Sequence, residues 1–143
     1  MLVLGAGIAA VLASRPANAQ LDLLDAAVSG YAGGAPVKAG KVRLEIAKLV
    51  DNGNAVPVTV SVDSPMTAAD HVQGIAIFNA RNPQREVAKF MLGPRSGKAV
   101  VATRIRLATS QKLTAVARLS DGSFWSDSVD VIVVLAACIE GES

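Results

Sequence analysis

The only thiol in this 143-residue chain is Cys138, five residues from the end. It follows an apolar, strand-like run, Val129-Asp130-Val131-Ile132-Val133-Val134-Leu135, and then Ala136-Ala137. That position predicts a side chain just beyond the folded edge of the domain, on a short tail. A lone thiol there cannot close a disulfide within the chain. It can carry a covalent group or pair with another chain.

The other residue types that do chemistry are poorly placed for it. His71 is the single histidine, which excludes a His-based metal cluster within the chain. Asp70, His71 and nearby serines have the composition of a hydrolytic triad, but no nucleophile-elbow pattern accompanies them. His71 therefore reads as a turn or strand-edge residue. Asp63 and Asp70 flank Ser64-Pro65, which is turn chemistry and not a catalytic carboxylate pair. Gly93-Pro94-Arg95-Ser96-Gly97, followed by Lys98, lacks the spacing of a phosphate-binding loop and a helix behind it. Phe124-Trp125 beside Asp121-Gly122 reads as a core anchor at a hairpin. Cys138 is what remains.

The elements that must position this thiol follow from the periodicity. Residues 2–13 carry no charge, and Ala17-Asn18-Ala19 has the small-x-small pattern of a signal-peptidase site, so residues 1–19 are expected to be a removable leader. The apolar run is shorter than the roughly 20 residues a membrane-spanning helix requires. No Lys or Arg precedes it, so the expectation is either an unusual leader or a start that lies inside a longer one. Loss of Arg15 leaves 13 basic residues against 12 acidic ones, a net charge near +1. With 3% aromatic residues and no basic surplus, a nucleic-acid interface is not expected.

Beyond the leader, Leu21, Leu24, Val28 and Tyr31 form one apolar stripe on a short helix. Asp22 and Asp25 stand near its expected start, and Gly30, Gly33 and Gly34 near its end. The period then changes to two. Val42, Leu44 and Ile46 alternate with charged residues, and Asn52-Gly53-Asn54 signals a turn. Val56, Val58, Val60 and Val62 alternate again with polar ones. Pro57 cannot donate to a ladder, so the 56–62 strand is expected at or near a free edge. Further strands are predicted at 72–79, 86–92, 99–108, 112–119 and 124–135, separated by turn-rich segments. About seven short strands at this spacing predict an all-β antiparallel sandwich with a short N-terminal helix. The domain is expected over 20–135 and the tail over 136–143.

Several segments in this order resemble one family. Pro57-Val58-Thr59-Val60-Ser61-Val62-Asp63-Ser64-Pro65-Met66-Thr67, Pro94-Arg95-Ser96-Gly97-Lys98, Thr103-Arg104-Ile105-Arg106-Leu107-Ala108 and Ser120-Asp121-Gly122-Ser123-Phe124-Trp125 are similar to SoxY. That is the sulfur-carrier subunit of the bacterial periplasmic thiosulfate-oxidising (Sox) system. Asn52-Gly53-Asn54 and Ile77-Phe78 to Asn82-Pro83 fit the same pattern, and the likeness extends to Cys138. The resemblance implies an immunoglobulin-like sandwich with a C-terminal arm whose cysteine sits in a Gly-Gly-Cys-Gly-Gly motif. It implies a SoxZ-like sandwich protein as partner and export to the periplasm by the twin-arginine route, although no Arg-Arg pair is present here. It also implies that the thiol accepts thiosulfate through a c-type cytochrome. A dimanganese hydrolase then releases sulfate, and a sulfane dehydrogenase oxidises the remaining sulfur. The group on Cys138 would be covalent cargo, not a cofactor.

The arm departs from the family pattern. Ala136-Ala137 replace the glycines before Cys138, Ile139 adds bulk after it, and only Gly141 remains. Glu140, Glu142 and the terminal carboxylate add negative charge that raises the thiol pKa and disfavours an approaching anion. Two other readings fit these residues: a divergent SoxY-like module that binds a SoxZ-like partner or a periplasmic dehydrogenase without carrying sulfur, and a dimer locked through Cys138. Exposed apolar residues on an edge strand are the usual material for pairing two sandwiches, which nominates the valine-rich 56–62 strand as the partner surface.

Overall fold

A computed structural model describes residues 16–135 together with Gly5 and Gly7. In chain order the elements are α1 (Pro16–Tyr31), β1 (Val37–Ala39), β2 (Val42–Glu45), β3 (Leu49–Asn52), β4 (Val56–Val62), β5 (Val72–Asn79), β6 (Glu86–Met91), β7 (Val100–Ile105), β8 (Gln111–Leu119) and β9 (Phe124–Leu135). They form three layers. A six-stranded sheet runs β1-β9-β8-β5-β6 with β3 also on β9, and a three-stranded sheet runs β2-β4-β7. Helix α1 lies on the outer face of the larger sheet.

Burial explains the sequence pattern strand by strand. Each valine of β4 is buried and the residues between them are not, because one face meets the core and the other meets solvent. β5 and β8 are buried almost throughout, since the helix covers one face and the smaller sheet the other. The inter-sheet core gathers Val42, Leu44, Val56 to Val62, Ile75, Ile77, Leu113 and Val131. A second cluster forms between α1 and the large sheet from Leu24, Ala76, Phe78, Val116 and Phe124. There the Tyr31 ring packs tilted on Phe78 and edge-on to Phe124, at 5.7 and 6.0 Å. The two sheets are also tied by a hydrogen bond from the Leu44 N–H to Asp127 Oδ2 at 2.8 Å.

The sandwich agrees with the expectation, and four details differ. Two short strands, β1 and β3, pair parallel to β9, so the larger sheet is mixed at that side. Helix α1 begins at Pro16, so its first turn holds no acidic residue, and Asp22 and Asp25 stand well inside it. Leu21, expected on the apolar stripe, is 40% exposed, while Leu24 carries the packing. Finally, β4 is the central strand of its sheet and its valines are core. It is therefore neither an edge nor an exposed partner surface. Pro57 is accommodated because β2 pairs only as far as Thr59, leaving that flank of the strand's first residues without a ladder.

Candidate functional site

The predicted thiol Cys138 and the arm residues Ala136, Ala137, Ile139 and Gly141 lie outside the described residues. What is described is the root from which they extend. Leu135 is the last residue of β9, three positions before Cys138. Three extended residues span at most about 10–11 Å, so the root's position limits where the thiol can go.

The root is held from both sides. Along most of its length β9 pairs with β8, but that ladder ends at Gln111 opposite Val131. Past that point β3 takes over, with Leu49 opposite Ile132 and Asn52 opposite Leu135. The Ile132 N–H donates to the Lys48 carbonyl at 2.8 Å, and the Gly53 N–H donates to the Leu135 carbonyl at 2.9 Å. On the other side one side chain replaces the missing ladder. Ser110 Oγ accepts from the Val133 N–H at 2.8 Å and donates to the Val133 carbonyl at 3.4 Å.

Ser110 is in turn placed by a polar network joining two loops. Asn79 is fully buried and its Nδ2 donates to the carbonyls of Gln84 and Arg85. Its Oδ1 accepts from the Asn82 N–H at 2.7 Å. Asn82 Oδ1 accepts from the Ala108 N–H at 3.0 Å and from Gln111 Nε2 at 2.8 Å, and Gln111 Oε1 accepts from the Arg81 N–H. The loop after β5 thus fixes the 106–111 loop, which carries Ser110. Among the described residues, no buried side-chain nitrogen or oxygen lacks a partner.

Sequence reasoning missed Ser110, Gln111 and Gly53 as supports of the arm. The available signals were the Asn52-Gly53-Asn54 turn and the polar cluster at Asn79–Pro83, both legible as loops. Nothing local pairs them with β9.

The remaining sequence-stated candidates settle into structural roles. His71 directly precedes β5, as a strand-edge residue. Its Nδ1 lies 3.0 Å from the Thr67 carbonyl, which can only accept, so that nitrogen carries the proton. The Asp70 N–H donates to Thr67 Oγ1 and the Met66 N–H to Ser64 Oγ, so this segment is a built turn. Phe124 is buried under the helix. Trp125 packs against the inter-sheet core, with Lys41 Nζ 4.9 Å and Lys38 Nζ 5.6 Å from its ring centroid. A groove of about 990 Å³ beside β6 takes in His71, Tyr31, Gly74, Lys89 and Arg118, and among the described residues no serine or aspartate lines it. His71 therefore has no triad partners there. A Cβ at Gly74 would stand 2.8 Å from Tyr31 Oη and 3.3 Å from the Phe90 carbonyl, so the phenol would have to shift to admit one. Burial raises the Tyr31 phenol above its ordinary pKa of 10.0, opposed by the Arg118 charge and aided by Glu86. Among the described residues no group of three or more His, Cys, Asp or Glu side chains could hold a metal ion. None of their helices is long and apolar enough to cross a membrane.

Comparison with known proteins adds identity to this geometry. A family profile described as sulfur oxidation protein SoxY matches residues 28–138, a span whose last residue is Cys138. The sulfur carrier protein SoxY from Chlorobium limicola f thiosulfatophilum superposes with a TM-score of 0.66 at 28% identity, over 79% of this chain and 97% of that one. The superoxide reductase (neelaredoxin) of Ignicoccus hospitalis gives 0.60 at 18% identity, covering 66% of this chain and 80% of its own. That of Nanoarchaeum equitans gives 0.56 at 14%, covering 67% and 100%. The likeness to the superoxide reductases shows the fold alone. No curated protein matches the sequence.

Proposed function

The chain belongs to the SoxY family, and on that premise we propose that it is a periplasmic carrier which holds thiosulfate-derived sulfur covalently on Cys138. The observation that carries this reading is the family match itself, which runs from within the helix to the thiol at residue 138. The anchored root supports it physically. A carrier must present its cargo inside several enzymes from one reproducible starting point. A root clamped by β3 and Ser110, with the thiol three residues further on, meets that need. Tethering also keeps the intermediate at high effective concentration.

Loading is an oxidation. The Cys138 thiolate attacks the outer sulfur of thiosulfate, an S–S bond forms, and two electrons leave to an acceptor. On this reading the acceptor is a c-type cytochrome. The product is a cysteine S-thiosulfonate, from which a dimanganese hydrolase releases sulfate by adding water. A sulfane dehydrogenase then oxidises the persulfide sulfur that stays on Cys138. The chain supplies no catalytic group to these steps, and a SoxZ-like sandwich protein is its expected standing partner.

Intact mass of protein from cells grown on thiosulfate, before and after reductant and beside Cys138→Ser, tests the proposal. The expected result is a reductant-sensitive adduct of sulfur or thiosulfonate mass that the variant lacks. An unmodified thiol would overturn carriage in favour of a binding module. A doubled mass that collapses on reduction would indicate a disulfide-linked dimer instead.

A further inference from the structure

The groove of about 990 Å³ beside β6 carries a charge pattern that the packing of the domain does not use. Its floor is the helix-bearing face of β8, β5 and β6. Gly74 turns toward Tyr31 there, with Arg118 opposite it on β8 and Met91 opposite it on β6. One row further along, Ala76 lies between Val116 and Lys89. Residues opposite one another across a ladder share a face, so Arg118, Met91 and Lys89 all stand on the groove side. Gly74 has no side chain to fill the space above it, and Tyr31 Oη lies over it instead.

Three cations line the groove, Arg85, Lys89 and Arg118, against one carboxylate, Glu86. Arg85 is already engaged, donating to the Asn82 carbonyl. Lys89 and Arg118 are exposed, and among the described residues neither is in an ion pair, the one pair there being Arg43–Glu45. Lys89 Nζ lies 5.8 Å from the Tyr31 ring centroid, and the Arg118 charge acts on the Tyr31 phenol. Two uncommitted cations thus stand on either side of one phenol. At the rim Met91 is 90% exposed, beside Leu92 and Pro94.

The register sets the shape of an occupant. Arg118 and Lys89 are one two-residue step apart along the sheet, about 7 Å, and sit on the two strands flanking β5, about 10 Å apart. Carboxylates at alternate positions of an extended segment face the same way and repeat the same step of about 7 Å. The groove follows β6 from Glu86 to Leu92, about 20 Å, the length of an extended segment of about six residues. A single small oxyanion would leave most of it empty.

We propose that this groove docks an extended acidic segment of a partner protein, with alternate carboxylates on Arg118 and Lys89 across the Tyr31 phenol and an apolar side chain on Met91. Arg118 lies about 23 Å along β8 from Gln111, where the β9 ladder ends and the root of the arm begins. A partner held in the groove therefore leaves the root open. The docking stands whether or not Cys138 carries sulfur.

The probe is a capped hexapeptide of threonines with glutamates at two alternate positions and a leucine at one end. Its glutamine counterpart is the control. Titrated into the full chain and followed by amide NMR, the glutamate peptide should saturate shifts at Gly74, Lys89, Met91 and Arg118. Its Kd should rise with salt. Lys89→Gln and Arg118→Gln should each raise Kd about two- to fivefold, the scale of one exposed ion pair. The two sites are about 10 Å or more apart, so the double variant should show the product, about four- to twentyfold. The glutamine peptide should lose as much on the unaltered chain. Removing the same charge elsewhere, from exposed Arg104 and Arg106 as Arg104→Gln with Arg106→Gln, should change Kd by less than about twofold. No saturable shift, equal affinity for the two peptides, or an equal loss in the Arg104 and Arg106 control would overturn the proposal. Shifts at the same amides on concentrating the chain alone would also overturn it, since the groove would then hold a second copy.

Discussion

Replacing Ser110 with alanine should loosen the root of the arm without unfolding the domain. The Ser110 hydroxyl is the acceptor for the Val133 N–H at 2.8 Å, on the side of β9 where the β8 ladder has already ended. An amide that loses its only protein acceptor inside a folded chain forfeits about 1–3 kcal/mol. Val133 is half-buried, so water recovers part of this, and about 1 kcal/mol is the figure expected. With 1.4 kcal/mol equal to a factor of ten, the local opening equilibrium rises about fivefold. The β3 side is untouched, so Ile132 keeps its bond to Lys48 and Leu135 its bond to Gly53. Native-state amide exchange reads this directly. Val133 should exchange about fivefold faster in Ser110→Ala, Ser110→Thr should restore the rate, and Ile77 and Val116 in the core should be unaffected. An unchanged Val133 rate would refute the clamp. Equal acceleration of every protected amide would assign Ser110 to global stability instead.

Three further outcomes follow. Leu24→Ala, which empties the main apolar anchor of α1, should lower unfolding free energy in urea by about 2–5 kcal/mol. Val60→Thr keeps the shape of a fully buried side chain but adds a hydroxyl with no partner. It should cost about 1–3 kcal/mol in the same assay, whereas a solvent-facing edge residue would cost almost nothing. Tyr31 is the single tyrosine, so phenolate absorbance titrates it alone and should show a midpoint above 10.0. Because the folded state holds that proton more tightly than the unfolded state, the stabilisation is complete below pH 10. It is lost as pH rises through the folded-state pKa, a slope in the urea midpoint that Tyr31→Phe should abolish.

The sequence by itself determined which face of a strand such as β4 turns inward and where the chain turns. Period-two alternation marked Val56–Val62, and burial of that alternate set is what the core requires. The bounds of β5 and β9 were legible because each is an apolar run closed by turn residues. So was the family, from ordered segments. Tertiary structure alone decided which strands are neighbours. Alternation tells a strand which face to bury but is silent on what lies to its left and right, so β4 could pass for an edge when it is central. β1 and β3, three and four residues long, are too short to show a period, and they exist because β9 offers them a parallel ladder far away in sequence. The support of the arm is non-local in the same way. Asn82 meets Gln111 and Ser110 meets Val133 only because two loops and a strand end converge in space, and hydrogen bonds between such distant residues leave no periodic trace in the chain.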